Sequence, residues 1–203
     1  MSGTGCQPHH PLLDGLDRPV ARLGANRSIP HGRTAALRHD GLGIASAAME
    51  PTYAAIARLV YGYAERLDAG DIAGMAAMFS DGALRTSGPD GIVTFSGAKA
   101  VHDAFANSVQ RFSDGTPATK HVTTNLIVEE EIGDGGEVVA ATGRALFTVL
   151  QARPDFPLQI VVAGRYSDSF VRDSDGWRFA DRLIQIDLVG DVSRHLVVDI
   201  PQN

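Results

Sequence analysis

Residues 119–131 read TKHVTTNLIVEEE. Thr119, Val122, Thr123, Thr124, Ile127 and Val128 all branch at Cβ, which suits a pleated, half-buried strand better than a helical turn. Three further β-rich runs follow. They are EVVAATGRALFTVLQ (137–151), LQIVVAGRYSDSFVRD (158–173) and GWRFADRLIQIDLV (176–189). The separators GDGG (133–136), RPDFP (153–157) and DSDG (173–176) are short and carry turn residues. Connections of that length predict antiparallel pairing of consecutive strands.

Upstream the pattern changes period. PTYAAIARLVYGYAERLDAG (51–70) spaces Ile56, Leu59, Val60, Tyr63 and Leu67 by three and four, the stripe of an amphipathic helix. Pro51 suits its first turn and Gly70 its end. In DIAGMAAMFSDG (71–82), Asp71 is a candidate cap for a second helix with Ile72, Met75, Met78 and Phe79 on its apolar side. ALRTS (83–87) and IVTFSG (92–97) read as two short strands about the turn GPDG. AKAVHDAFANSVQRF (98–112) reads as a third helix with Val101, Phe105, Val109 and Phe112 on one side. The order predicts an α+β fold, a strongly bent mixed or antiparallel sheet with three helices on its concave side. Such a curl leaves room for a small apolar ligand.

The first 48 residues differ. They hold His9, His10, His31, His39 and Cys6, with five arginines and three aspartates, and show no sustained period. They are expected to form a disordered or loosely packed extension, with residues 49–203 as the folded domain and Met49 as a candidate alternative start. The chain as a whole has 203 residues and a net charge of −6, with Lys99 and Lys120 as its two lysines, so no nucleic-acid surface is expected. A single cysteine forms no intramolecular disulfide and no thiolate zinc cluster. No metal-ligand spacing is expected outside the N-terminal segment. No run is long and apolar enough for a membrane span, and a soluble cytoplasmic protein is the default expectation. Phosphate-loop, nucleophile-elbow and dinucleotide patterns are absent, so no cofactor is expected.

Four stretches together carry a resemblance. YGYAERLDAGD (61–71), TKHVTTNLIVE (119–129), AGRYSDSFVR (163–172) and DGWRFADRLIQIDLVGD (175–191) resemble, in order, the SnoaL-like polyketide cyclases and dehydratases of the cone-shaped nuclear transport factor 2-like superfamily. The resemblance implies a catalytic pair, Asp68 at the end of the first helix and His121 on the third strand. Tyr63, five residues before Asp68, and Arg182 on the last strand match residues of the bile-acid dehydratase branch. That branch has a second carboxylate on the fourth strand, where this chain offers only Thr142 or Arg144.

Taken singly, these residues have plainer readings. His121 reads as a core histidine, Asp68 as a helix-end residue, Tyr63 and Trp177 as packing, and Arg182 as half of a salt bridge. Strict alternation places His121, Thr123 and Asn125 on one face of the strand, so Asn125 is a candidate to orient His121 or touch substrate. Val122, Leu126 and Val128 then share the other face, and a second copy of the chain is the expected cover, giving a homodimer through the outer sheet face. A carboxylate on one ring nitrogen would fix the tautomer of His121 and leave the other nitrogen to act as base. The implied activity is elimination, isomerisation or ring closure on a small hydrophobic cyclic molecule of polyketide, steroid or terpenoid type. The alternative is a non-catalytic ligand-binding module or accessory subunit of the same fold.

Overall fold

The computed structural model describes residues 51–88 and 91–197. The expectation for residues 1–48 lies outside them. Three helices, α1 (Thr52–Asp68), α2 (Ile72–Ala77) and α3 (Gly97–Ser108), accompany six strands. These are β1 (Ala83–Gly88), β2 (Gly91–Ser96), β3 (Thr119–Ile132), β4 (Val138–Arg153), β5 (Phe156–Asp173) and β6 (Gly176–Val189). The sheet is open and runs β2-β1-β6-β5-β4-β3. Every pairing is antiparallel except β1 with β6, which is parallel and makes the sheet mixed. The predicted α+β architecture is the one observed.

The helices form for the reasons their sequences give. Ile56, Val60, Tyr63 and Leu67 of α1 are buried at the predicted spacing. α1 ends as Gly70 takes a left-handed φ of 75°. A Cβ there would lie 2.1 Å from the Gly115 carbonyl oxygen, so conformation and space both demand glycine. The Asp71 side chain caps α2 by accepting from the Gly74 N–H at 2.8 Å. α3 stops at Ser108, earlier than its apolar spacing suggests. Val109 turns extended and bridges to Leu196, which takes Phe112 out of the helix.

One face of the sheet holds the core. Ala141, Ala145, Phe147 and Val149 of β4 alternate inward, and across β5 and β6 they meet Tyr166, Phe170 and Phe179. The helices add Ile56, Val60, Tyr63, Met75 and Phe79 to the same cluster. Ring stacking orders it. Phe147 lies on Tyr166 at 4.5 Å between centroids, Phe79 on Phe179 at 5.0 Å, and Tyr63 meets both Phe79 and Tyr166 edge-on. The middle of this face is therefore filled with side chains.

β3 departs from the sequence reading. Its alternation holds from Thr119 to Thr124 and then slips, because the ladder to β4 resumes at Ile127 rather than keeping step. Asn125 absorbs the slip with φ of 55°, a left-handed conformation that asparagine tolerates better than most residues. Leu126 and Val128 consequently turn inward and pack on the core, while Asn125 is exposed. The expected face assignments of Asn125, Leu126 and Val128 are thus corrected by a bulge.

Candidate active site

The last residue of α1 and the third residue of β3 meet at the edge of the fold. The Asp68 Oδ1 lies 2.7 Å from the His121 Nδ1, and its Oδ2 accepts the His121 backbone N–H at 2.9 Å. The Thr119 hydroxyl donates to Oδ1 at 2.8 Å. Thr119 and His121 are two apart on β3 and so share a face, which lets one strand supply all three donors. The side chains of Asp68 and His121 are only 11% and 10% exposed. A carboxylate placed against Nδ1 favours the tautomer with the proton on that nitrogen, leaving Nε2 as an acceptor.

Burial tends to raise the Asp68 carboxyl. The hydrogen bond and charge of the His121 ring, its backbone N–H and the Thr119 hydroxyl outweigh burial and leave it below the ordinary value. The carboxylate stays ionised beside the imidazole.

A cleft of about 730 Å³ opens over the pair. Tyr61, Ala64 and Glu65 of α1 form one wall, and Lys120, His121, Val122 and Thr123 of β3 the other. The Thr123 hydroxyl, on the His121 face of the strand, is buried and has no protein partner. Sequence reading placed Thr123 in the polar row without giving it a role. The signal was its position two residues from His121.

Two other expected residues come together elsewhere. Tyr63 and Arg182 are fully buried in the core rather than in the cleft. Arg182 sits directly across the ladder from Asp168 and binds it bidentately, at 2.9 Å through Nε and 2.7 Å through Nη2. Its guanidinium lies 4.3 Å from the Tyr63 ring centroid, 4.1 Å from that of Tyr166 and 4.6 Å from that of Phe179. This is a buried ion pair in an aromatic box, and neither Tyr63 nor Arg182 lines the cleft over the Asp68–His121 pair. Burial drives both tyrosine hydroxyls well above their usual value. Asp168 carried no signal in the sequence, since only the register reveals its partner.

The fourth strand supplies no second acid or base. Thr142 and Arg144 point to the exposed outer face, where Arg144 pairs with Glu129 at 3.0 Å, and the inward positions that alternate with them are Ala141, Gly143 and Ala145. A second histidine, His195, is instead found in the segment after β6. Burial, helped by the charge of His121 and opposed by that of Asp68, lowers it to about 4. Gln151 fixes this segment by donating to the Arg194 carbonyl at 2.8 Å and to the Pro117 carbonyl at 2.9 Å. Gln151 lies opposite Thr119 in the ladder, which ties the segment to the strand that holds the pair. Among the described residues no cluster of three or more His, Cys, Asp or Glu could hold a metal ion, and no helix is long and apolar enough to cross a membrane.

Comparison with known proteins agrees with this fold. The profile of the family described as SnoaL-like domain matches residues 51–183. No curated protein matches the chain. Among solved structures, a protein of unknown function from Mycobacterium tuberculosis is 27% identical, with a TM-score of 0.52 over 69% of this chain and 74% of that one. A putative scytalone dehydratase from Novosphingobium aromaticivorans is 19% identical, with a TM-score of 0.52 over 68% of this chain and 86% of that one. ActVI-ORFA from Streptomyces coelicolor is 20% identical, with a TM-score of 0.51 over 66% of this chain and 97% of that one. The chain belongs to the SnoaL-like domain family.

Proposed function

We propose that this SnoaL-like chain is a cofactor-independent enzyme that moves a proton on a small hydrophobic cyclic molecule of polyketide, steroid or terpenoid type. The observation that carries the reading is the Asp68–His121 pair, buried at 2.7 Å beneath a cleft of ligand size. His121 is the general base. Its Nε2 takes a proton from carbon next to a carbonyl, and the C–H electron pair becomes that of the enolate. In elimination the enolate re-forms the carbonyl and expels a β-hydroxyl, which leaves as water with the proton returned from Nε2. Isomerisation and ring closure begin with the same abstraction.

Asp68 holds the ring and its tautomer. Lys120 at the cleft wall adds positive charge near the developing oxyanion. Tyr63, Arg182 and Asp168 hold the core together without touching substrate, and Asn125 in its bulge sets the direction of the strand.

The test is deuterium uptake from D₂O at the α-carbon of cyclic β-hydroxyketones, followed by NMR. Uptake that vanishes in His121→Ala supports the reading. Saturable binding without uptake, weakened by His121→Ala, would replace it with the ligand-binding alternative. One observation favours that alternative, namely that β4 places Ala141, Gly143 and Ala145 where a second acid or base would stand.

Assembly belongs to the same proposal. Val122, Leu146, Ile160 and Leu188 project from the outer face of neighbouring strands, each between 44% and 69% exposed. The pairs Arg144–Glu129 and Arg165–Asp187 bring both signs of charge to that side. An apolar patch beside charges of both signs suits a second copy related by two-fold symmetry. The homodimer forms through this face.

A further inference from the structure

The cleft over Asp68 and His121 wraps the edge of the sheet. β3 ends the strand order, so one of its sides has no strand neighbour. His121 and Thr123 line the cleft from the inward row of β3, and Lys120 and Val122 line it from the outward row. A cleft lined from both rows of one strand opens onto the outer face. α1 supplies the facing wall, with Tyr61 and Glu65 in it. Proton abstraction from carbon calls for a drier site than two walls give.

The outward row of β3 has an order that suits a copy of itself. It runs Lys120, Val122, Thr124 and then, past the bulge at Asn125, Ile127, Glu129 and Glu131, all exposed. A cation stands at one end, carboxylates stand at the other, and the middle is largely apolar. Glu129 is engaged by Arg144 at 3.0 Å. Lys120 and Glu131 have no ion-pair partner among the described residues. A two-fold axis that runs two β3 strands in opposite directions sets each Lys120 against the partner's Glu131. An axis that ran them in the same direction would bring like charges together.

We propose that a second copy, packed on the outer face with its β3 antiparallel to this one, brings its Glu131 to Lys120 and roofs the cleft. This arrangement rests on the homodimer proposed above and adds what the partner does at the site. The end of the partner's β3 lies over the mouth of the cleft, where Ile132, exposed in the single chain, forms an apolar cover. The ion pair holds the Lys120 ammonium at the cleft wall. Each copy does the same for the other, so both sites are complete in the dimer and neither is complete in the monomer.

Two measurements on the full chain test this. The first labels histidines with diethyl pyrocarbonate, above and below the concentration at which sedimentation shows the dimer to dissociate, and reads each site by peptide mass spectrometry. His121 should react several-fold more slowly in the dimer. His102 on α3, with its side chain 45% exposed, should react equally in both and serves as the reference. The second measures dimer affinity in charge-swapped variants, each checked for unchanged circular dichroism. Lys120→Glu should weaken the dimer about tenfold or more by setting carboxylate against carboxylate, and adding Glu131→Lys should restore it. Equal labelling of His121 in dimer and monomer would overturn the roof. A double variant as weak as the single one would overturn the antiparallel arrangement, and a parent that stays monomeric would overturn both. The labelling needs no turnover, so it stands apart from the deuterium measurement that decides proton abstraction.

Discussion

A carboxylate that accepts three hydrogen bonds is held in one orientation, and Asp68 accepts them from His121 twice and Thr119 once. Asp68→Asn keeps the shape and loses the charge. The amide can present a donor to Nδ1, which favours the opposite tautomer. The expected outcome is a fall of roughly 10²–10⁴ in turnover with little change in substrate binding, accompanied by a changed ¹⁵N pattern of the His121 ring in NMR. An unchanged ring pattern would show that Asp68 does not set the tautomer. His195 makes a prediction about stability. Its folded value is lowered from 6.5 to about 4, so the unfolded chain binds the proton more readily between those values. Its contribution is full above pH 6.5 and is lost as pH falls toward 4, by at most about 3 kcal/mol. Urea denaturation across that window should show a shallower loss in His195→Gln than in the parent. The helix end at Asp68 and the strand at His121 were legible from local pattern, but their pairing was implied only by the family resemblance, since each taken singly has a plainer reading. Asn125 misled because an alternating pattern does not announce where its register slips.

At the scale of elements, strand order decides what a residue can do. Arg182 and Asp168 are 14 apart in sequence, and only the β5–β6 register puts them face to face inside the core. A buried pair of this kind is costly to break and cheap to replace. Arg182→Met alone should destabilise by about 3–5 kcal/mol, since it strands the Asp168 carboxylate. The double variant Arg182→Met with Asp168→Leu should recover most of that loss. Denaturant midpoints of the three proteins measure it, and a double variant no better than the single one would contradict the account. The helices and the four long strands could be read from period and turn residues. The fate of Phe112 could not, because the helix yields to a bridge with Leu196 that no local pattern encodes.

For the whole molecule, the proposed assembly rests on the outer sheet face. If it is the dimer contact, Leu146→Asp together with Leu188→Asp places four carboxylates in a symmetric interface. Sedimentation should then show monomers, with circular dichroism unchanged. Monomers in the parent protein at micromolar concentration would remove the proposal. The mixed sheet was readable as a class. Its one parallel pairing follows from topology, and that pairing has a consequence for how the chain comes to be made.

β1 enters the sheet only beside β6, and its Arg85 finds Asp181 a full 96 residues later. On a ribosome adding roughly 5–20 residues per second, that is a wait of about 5–20 seconds. During it the three helices and the β1–β2 hairpin have been synthesised, while the strands that bury their apolar sides have not. Contacts this distant in sequence slow folding, because the intervening loop must close before they form. The nascent N-terminal half therefore leaves the tunnel with sticky surfaces and no partner, and its yield in the cell should depend on chaperones more than its finished stability would suggest.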